Sequence, residues 1–137
     1  MARLLGVDLG DRRIGLALSD PTGFLATAHS ILHSIGRARD VAAIAQLAER
    51  EQADRVVLGL PLSLNGTEGP QAAKVRRFKD ALEGLGLKVD LWDERLTTSQ
   101  AQRYMRGTDV SRKRQRQTLD ANAAAIMLQS YLDARAR

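Results

Sequence analysis

The sequence predicts one α/β domain, a mixed sheet with helices on both faces. Three observations carry that expectation. The chain has 137 residues and 15.0 kDa, the size of a single domain spanning 1–137 that buries about two thirds of its unfolded surface. Three strand-like segments joined by tight turns open it. Strands then alternate with helical patterns to the end, giving the order β-β-β-α-β-α-β-α-α.

Leu4 to Leu9 is an apolar run broken by Asp8, the pattern of a buried strand. Gly10-Asp11 is a turn signal before a second strand over Arg12 to Asp20, so the two form a hairpin. Pro21-Thr22-Gly23 turns into a third strand within Phe24 to Ile35. From Arg37 to Ala53 the residues Val41, Ile44, Ala45 and Ala48 recur at helical spacing. Asp54 to Leu60 is a compact apolar strand, and Pro61 to Pro70 a loop. Gln71 to Leu85 reads as a helix with Pro70 at its first turn. Lys88 to Trp92 is the last strand. Thr97-Thr98-Ser99-Gln100 fits a capping box, starting a short helix that stops at Gly107. Asp109 to Gln117 is polar and predicts a loop. A final helix is expected from Thr118 to Asp133.

Composition removes several chemistries. There are no cysteines, so disulfides, thiolate zinc sites and thiol catalysis are excluded. His29 and His33 are the only two histidines, too few for a multi-histidine metal site. No segment reaches the about 18 apolar residues of a membrane span, and the N-terminal run fits no signal peptide. A cytoplasmic protein without membrane contact is the expectation.

The net charge is +5, from 21 Lys+Arg against 16 Asp+Glu. It has an address. Between Ala101 and Thr118 stand Arg103, Arg106, Arg112, Lys113, Arg114 and Arg116 against one acid, Asp109. This arm alone accounts for the whole excess. Such a cluster suits a nucleic-acid backbone, and Arg112, Lys113, Arg114 and Arg116 are the expected contacts.

The carboxylates suggest where chemistry lies. In open α/β sheets, sites form at the carboxyl ends of parallel strands. Asp8 stands there on the first strand, and Asp93 and Glu94 directly follow the last. Asp8 can be read as a turn partner of Gly10, but an acid inside an apolar strand is costly unless paired, which favours a site. Glu94 has the rival reading of a surface pair with Arg95, and Asp93, pointing the other way, a supporting role. Asp120 lies on the line Asp120, Ala124, Met127, Tyr131, apolar apart from the acid. It can cap the last helix or face the sheet.

Converging carboxylates repel unless protonated or bound to cations. Hard ions with oxygen ligands, Mg²⁺ or Mn²⁺, fit them, and two such ions can drive phosphodiester hydrolysis. One difficulty is distance. The first and last strands would be two spacings, roughly 10 Å, apart, a gap that the longer Glu94 side chain must close.

These residues lie within four segments, GVDLGDRRIGLALSD at 6–20, GLPLSLNGTEGP at 59–70, DERLTT at 93–98 and LDANAAAIML at 119–128. In this order the chain resembles the YqgF/RuvX family, described as Holliday junction resolvases or pre-16S rRNA nucleases. The resemblance covers nearly the whole chain. It implies a ribonuclease H-like fold, a five-stranded sheet of order 3-2-1-4-5, and metal-dependent cleavage of phosphodiesters. Asp8, Glu94 and Asp120 would be the catalytic, metal-binding acids for two ions.

Around them, Arg12 and Arg13 suit a substrate phosphate or a solvated strand edge equally. Gly66, Thr67 and Gly69 are candidates for a loop whose amides approach a phosphate. Asp8-x-Gly10 with Gly15 also resembles the phosphate loop of actin-like ATPases, which need two such domains where 137 residues hold one. The expected substrate is an RNA precursor of 16S rRNA, with branched DNA or mere nucleic-acid binding as alternatives. The protein would be a monomer or a homodimer, a dimer being what two-fold junction cutting requires.

Overall fold

The structure, a computed structural model, describes residues 3–96 and 112–135, with side chains of the last helix described from Asn122 onward. The strands are β1 (Arg3–Leu9), β2 (Arg13–Ser19), β3 (Ala26–His33), β4 (Ala53–Leu60) and β5 (Lys88–Asp93). The helices are α1 (Arg37–Arg50), α2 (Pro70–Gly84) and α3 (Arg112–Arg135). One 3₁₀ turn, Glu94–Leu96, follows β5.

The strands make one sheet ordered β3-β2-β1-β4-β5, the order the family resemblance implies. β1 pairs antiparallel with β2 and parallel with β4, and β4 pairs parallel with β5. Parallel neighbours need a crossover, which α1 and α2 supply. The β1–β2 turn depends on Gly10, because a β-carbon there would lie 2.5 Å from the Arg13 carbonyl oxygen. Asp20 closes the next turn, accepting the Phe24 and Leu25 amides at 2.9 Å. The buried Asp40 of α1 accepts the Ser34 hydroxyl at 2.5 Å and the Ile35 amide at 3.0 Å, tying the helix to the end of β3.

Strand alternation gives the two faces different residues. Leu5, Val7, Leu9, Ile14, Leu16, Val56 and Leu58 pack with Ile44, Val75, Phe78 and Leu82 under α1 and α2. The opposite face is smaller. Leu4, Ala17 and Val57 meet Ala124, Met127, Leu128, Tyr131 and Leu132 of α3. Helix and sheet approach closely at Gly6, where a β-carbon would lie 2.9 Å from Leu128 Cβ and 3.3 Å from the Ala124 carbonyl oxygen.

The sequence reading needs one correction. Residues 112–117, expected in a loop, belong to α3, which runs 24 residues. Arginine, lysine and glutamine are good helix formers; their lack of an apolar stripe concealed the helix. The expected helix at 97–107 and residues 109–111 lie outside the described residues. Among the described residues, no helix is long and apolar enough to cross a membrane.

Candidate active site

Leu4, Gly6 and Asp8 alternate onto the α3 face of β1, which puts Asp8 at the carboxyl end of that face. The parallel register pairs Val7 with Leu58 and Gly59 with Trp92. Continued by one step, it sets Gly59 beside Asp8. Trp92 faces α3, and Glu94, two residues on, emerges on the same side as the chain turns. Asp8, Gly59 and Glu94 thus form a row across three strands.

Gly59 solves the distance problem. A β-carbon at this position would lie 2.4 Å from Glu94 Oε1, 2.9 Å from Cγ and 3.0 Å from Cδ. The Glu94 side chain therefore lies across β4, in the space that any other residue would fill, and hydrogen-bonds Asp8. Burial, then the Asp8 hydrogen bond, then the charges of Asp8 and Asp93 push the Glu94 pKa up to about 8. These surroundings favour the protonated form of Glu94, whose carboxyl group hydrogen-bonds Asp8.

Asp93 points away from this pair, as its position in the strand predicts. Its carboxylate accepts Arg95 Nε at 3.0 Å and Nη2 at 2.6 Å, and that hydrogen bonding holds the Asp93 pKa below the usual carboxylate value. The other arm of Arg95 donates to the carbonyls of Ser63 at 3.4 Å and Leu64 at 3.3 Å. Asp93 and Arg95 therefore fasten the 61–69 loop beside the acids.

That loop uses its own amides. Gly66 N–H donates to the Ser63 carbonyl at 2.8 Å, and Thr67 N–H to Ser63 Oγ at 3.2 Å and Asn65 Oδ1 at 3.1 Å. Of the phosphate-loop candidates, Gly66 and Thr67 have their amides engaged within the loop, and Gly69 caps α2. Arg12 is exposed at the β1–β2 turn, and Arg13 is half-buried at the start of β2.

Three residues escaped the sequence reading. Gly59 carried a signal: a glycine inside an apolar strand marks a close approach. Gln71 Nε2 donates to the Leu9 carbonyl at 3.0 Å, and Lys74 Nζ to the Gly10 carbonyl at 3.2 Å. They tie α2 to the end of β1 that carries Asp8. Neither is recognisable from composition, since both read as solvated helix residues.

Asp120 belongs to α3 by its backbone, while its side chain and those of Arg112, Lys113, Arg114 and Arg116 lie outside the described residues. The helix runs antiparallel to β1. Leu132 and Leu4 line one cavity, and Ala124 and Leu128 cross Gly6. Residue 120, one turn before Ala124, comes next along the path toward Asp8. Among the described residues no set of three metal-ligating side chains exists; Asp8 and Glu94 supply two. The donors are hard oxygens, and a carboxyl–carboxylate pair sharing a proton fits a divalent cation that would displace that proton.

The chain can now be set beside known proteins. A family model described as RuvX, Holliday junction resolvase, matches residues 2–134. A relative from Syntrophomonas wolfei, named as a candidate pre-16S rRNA nuclease, is 46% identical over 132 residues, 96% of this chain and 94% of the relative. One of the same name from Clostridium botulinum, strain Hall, is 43% identical, covering 96% of each. Among solved structures, T. thermophilus RuvC in complex with a Holliday junction superposes with a TM-score of 0.63 at 18% identity, covering 99% of this chain and 96% of that one. The fowlpox virus resolvase in complex with junction DNA gives 0.61 at 17%, covering 98% and 99%. These two likenesses establish the ribonuclease H-like fold.

Proposed function

This chain belongs to the RuvX family of nucleases, and we propose that it is a metal-dependent endonuclease that processes the 5′ end of pre-16S rRNA. One observation supports the chemistry most: Glu94 reaches across Gly59 to Asp8. A protein that merely bound nucleic acid would gain nothing from two half-buried acids that repel phosphate. The names of the close relatives support the substrate.

In this reading Asp8, Glu94 and Asp120 hold two Mg²⁺ or Mn²⁺ ions. When bound, the ions supply an activated water and charge compensation at phosphorus and the departing 3′ oxygen. Asp8 would be the ligand common to both ions, and Glu94 and Asp120 would complete their shells. Glu94 would release its proton on binding a cation. Gly59 keeps the Glu94 carboxyl in reach, and Gln71 and Lys74 steady the end of β1. Arg12, Arg13 and the 112–116 cluster neutralise substrate phosphates on either side. No residue forms a covalent bond to the substrate, and the products carry 5′ phosphate and 3′ hydroxyl ends. The site would work in the cytoplasm, where the precursor is made.

The deciding assay is cleavage of a structured pre-16S 5′ leader RNA with Mg²⁺, Mn²⁺ or EDTA. The expected result is metal-dependent cutting that Asp8→Asn abolishes without loss of RNA binding. Full activity of that variant would remove the assignment. The family description favours a second reading, cleavage of four-way DNA junctions. Symmetric junction cutting by a dimer, with no cutting of the RNA, would select it.

A further inference from the structure

Leu64 is 97% exposed, the most solvated large apolar residue among those described. A lone exposed leucine is ordinary; one on a rigid tip beside a catalytic row is not. Leu62 and Glu68 pair as an antiparallel bridge, so residues 63–67 form the head of a small hairpin. Ser63, Asn65 and Thr67 bond one another across that head, and Gly66 turns it at φ 84°. Three tethers hold the hairpin: β4 at Leu60, the Arg76–Glu68 pair at 2.7 and 2.6 Å, and Arg95, which grips the Ser63 and Leu64 carbonyls while anchored on Asp93. Asp93 and Arg95 flank Glu94 in sequence. The backbone of Leu64 is thus fixed relative to the acids, and its side chain projects into solvent.

We propose that Leu64 is a wedge that enters the base stack of a structured RNA where paired and unpaired strands meet, and so sets which phosphate reaches Asp8 and Glu94. This rests on the nuclease reading above and names how its site selects a cutting position. Apolar side chains on protein surfaces open base steps in this way. Pre-ordering of the tip removes the entropic penalty that a flexible loop would suffer on insertion.

The test uses the full chain carrying Asp8→Asn, so that binding is read without cleavage. The probe is an RNA hairpin with a single-stranded tail and 2-aminopurine at the last base pair. Binding should raise the fluorescence by unstacking the probe. Adding Leu64→Ser should abolish the rise and weaken hairpin binding about 10- to 100-fold, while leaving binding to the tail sequence alone unchanged. Leu64→Met should restore both. In the active protein, Leu64→Ser should scatter the cut sites. An equal fluorescence rise with Leu64→Ser, or equal weakening on the unpaired tail, overturns the wedge. Because the fluorescence arm needs no catalysis, failure of the nuclease reading shows separately, as cleavage by the Asp8→Asn protein.

Discussion

Asp90 and Glu94 stand four residues apart at the same edge of the same sheet face, and their surroundings are opposites. Asp90 accepts Arg55 Nη1 at 2.9 Å and the Tyr131 hydroxyl. Glu94 meets Asp8, with Asp93 adding to the like charge. Between them Trp92 packs edge-on against Tyr131, centroids 5.8 Å apart at 89°, as a partition. One acid is neutralised by a cation and a donor; the other sits over a glycine, close to an acid. Folding alone does not favour the second arrangement, since a half-buried acid beside another must either hold a proton or repel it. The contrast sets a carboxylate that serves the fold against one that, in the proposed function, would hold a cation.

Removing Asp8 breaks that contrast most completely. Asp8→Asn should lower the cleavage rate at least about 1,000-fold, as loss of several kcal/mol of charge stabilisation requires. It should leave the protein folded with a melting temperature within a few degrees of the parent's, because Asn keeps the shape and can still accept the Glu94 hydrogen bond. Single-turnover cleavage and thermal melting of the same preparation check both. A variant that unfolds, or that cuts normally, would place Asp8 with Asp90 among the structural acids.

The next effect acts through geometry rather than charge. Gly59→Ala puts a methyl group 2.4 Å from Glu94 Oε1, so the carboxyl must leave its path to Asp8. A displacement of about 1 Å can cost about 100-fold in rate, and overpacking a strand costs about 1–3 kcal/mol of stability. The rate should fall far more than the stability explains, and Mn²⁺ affinity measured by calorimetry should fall with it. Unchanged rate and affinity would show that Glu94 reaches its place by another route.

The sequence announced most of this row. Asp8 was visible as an acid inside an apolar run, Glu94 as the residue after the last strand, and the strand order through the family resemblance. What stayed hidden was the crossing. A two-strand gap seemed to separate the acids, and only the register, which pairs Gly59 with Trp92, shows that the residue between them has no side chain. The Arg55–Asp90–Tyr131 group was equally hidden, because its members come from three separate elements, and pairing of charges distant in sequence leaves no local pattern. The helical state of residues 112–117 was missed for a different reason: helix propensity without an apolar stripe looks like a loop.

The structural acid gives the converse test. Asp90→Asn keeps the shape but removes the charge facing Arg55, and Tyr131→Phe removes the donor. Each should cost about 1 kcal/mol in urea unfolding, the usual net worth of one such hydrogen bond, and neither should change the cleavage rate by more than about twofold. A large fall in rate with intact stability would mean that the Trp92 partition does not isolate the two ends of β5.

The smallest expected effect is a slope. The folded-state pKa of Glu94, about 8, lies above its ordinary 4.5, so the folded protein binds this proton more tightly than the unfolded chain. Its contribution to stability is complete below pH 4.5 and fades as pH rises through 8. Asp20 acts in the opposite sense, its pKa held down to about 2, but its contribution fades only on acidification below about 4. Between pH 5 and 8 the Glu94 slope therefore stands apart from it. In EDTA, stability from urea unfolding should decline across that window. Saturating Mn²⁺ should flatten the decline, because the cation replaces the proton, and adding it near pH 7 should release protons into a weak buffer. Glu94→Gln should abolish both the slope and the release, whereas Asp90→Asn should leave both in place. The same slope in Glu94→Gln would assign the titration to another group and remove the electrostatic half of the contrast along β5.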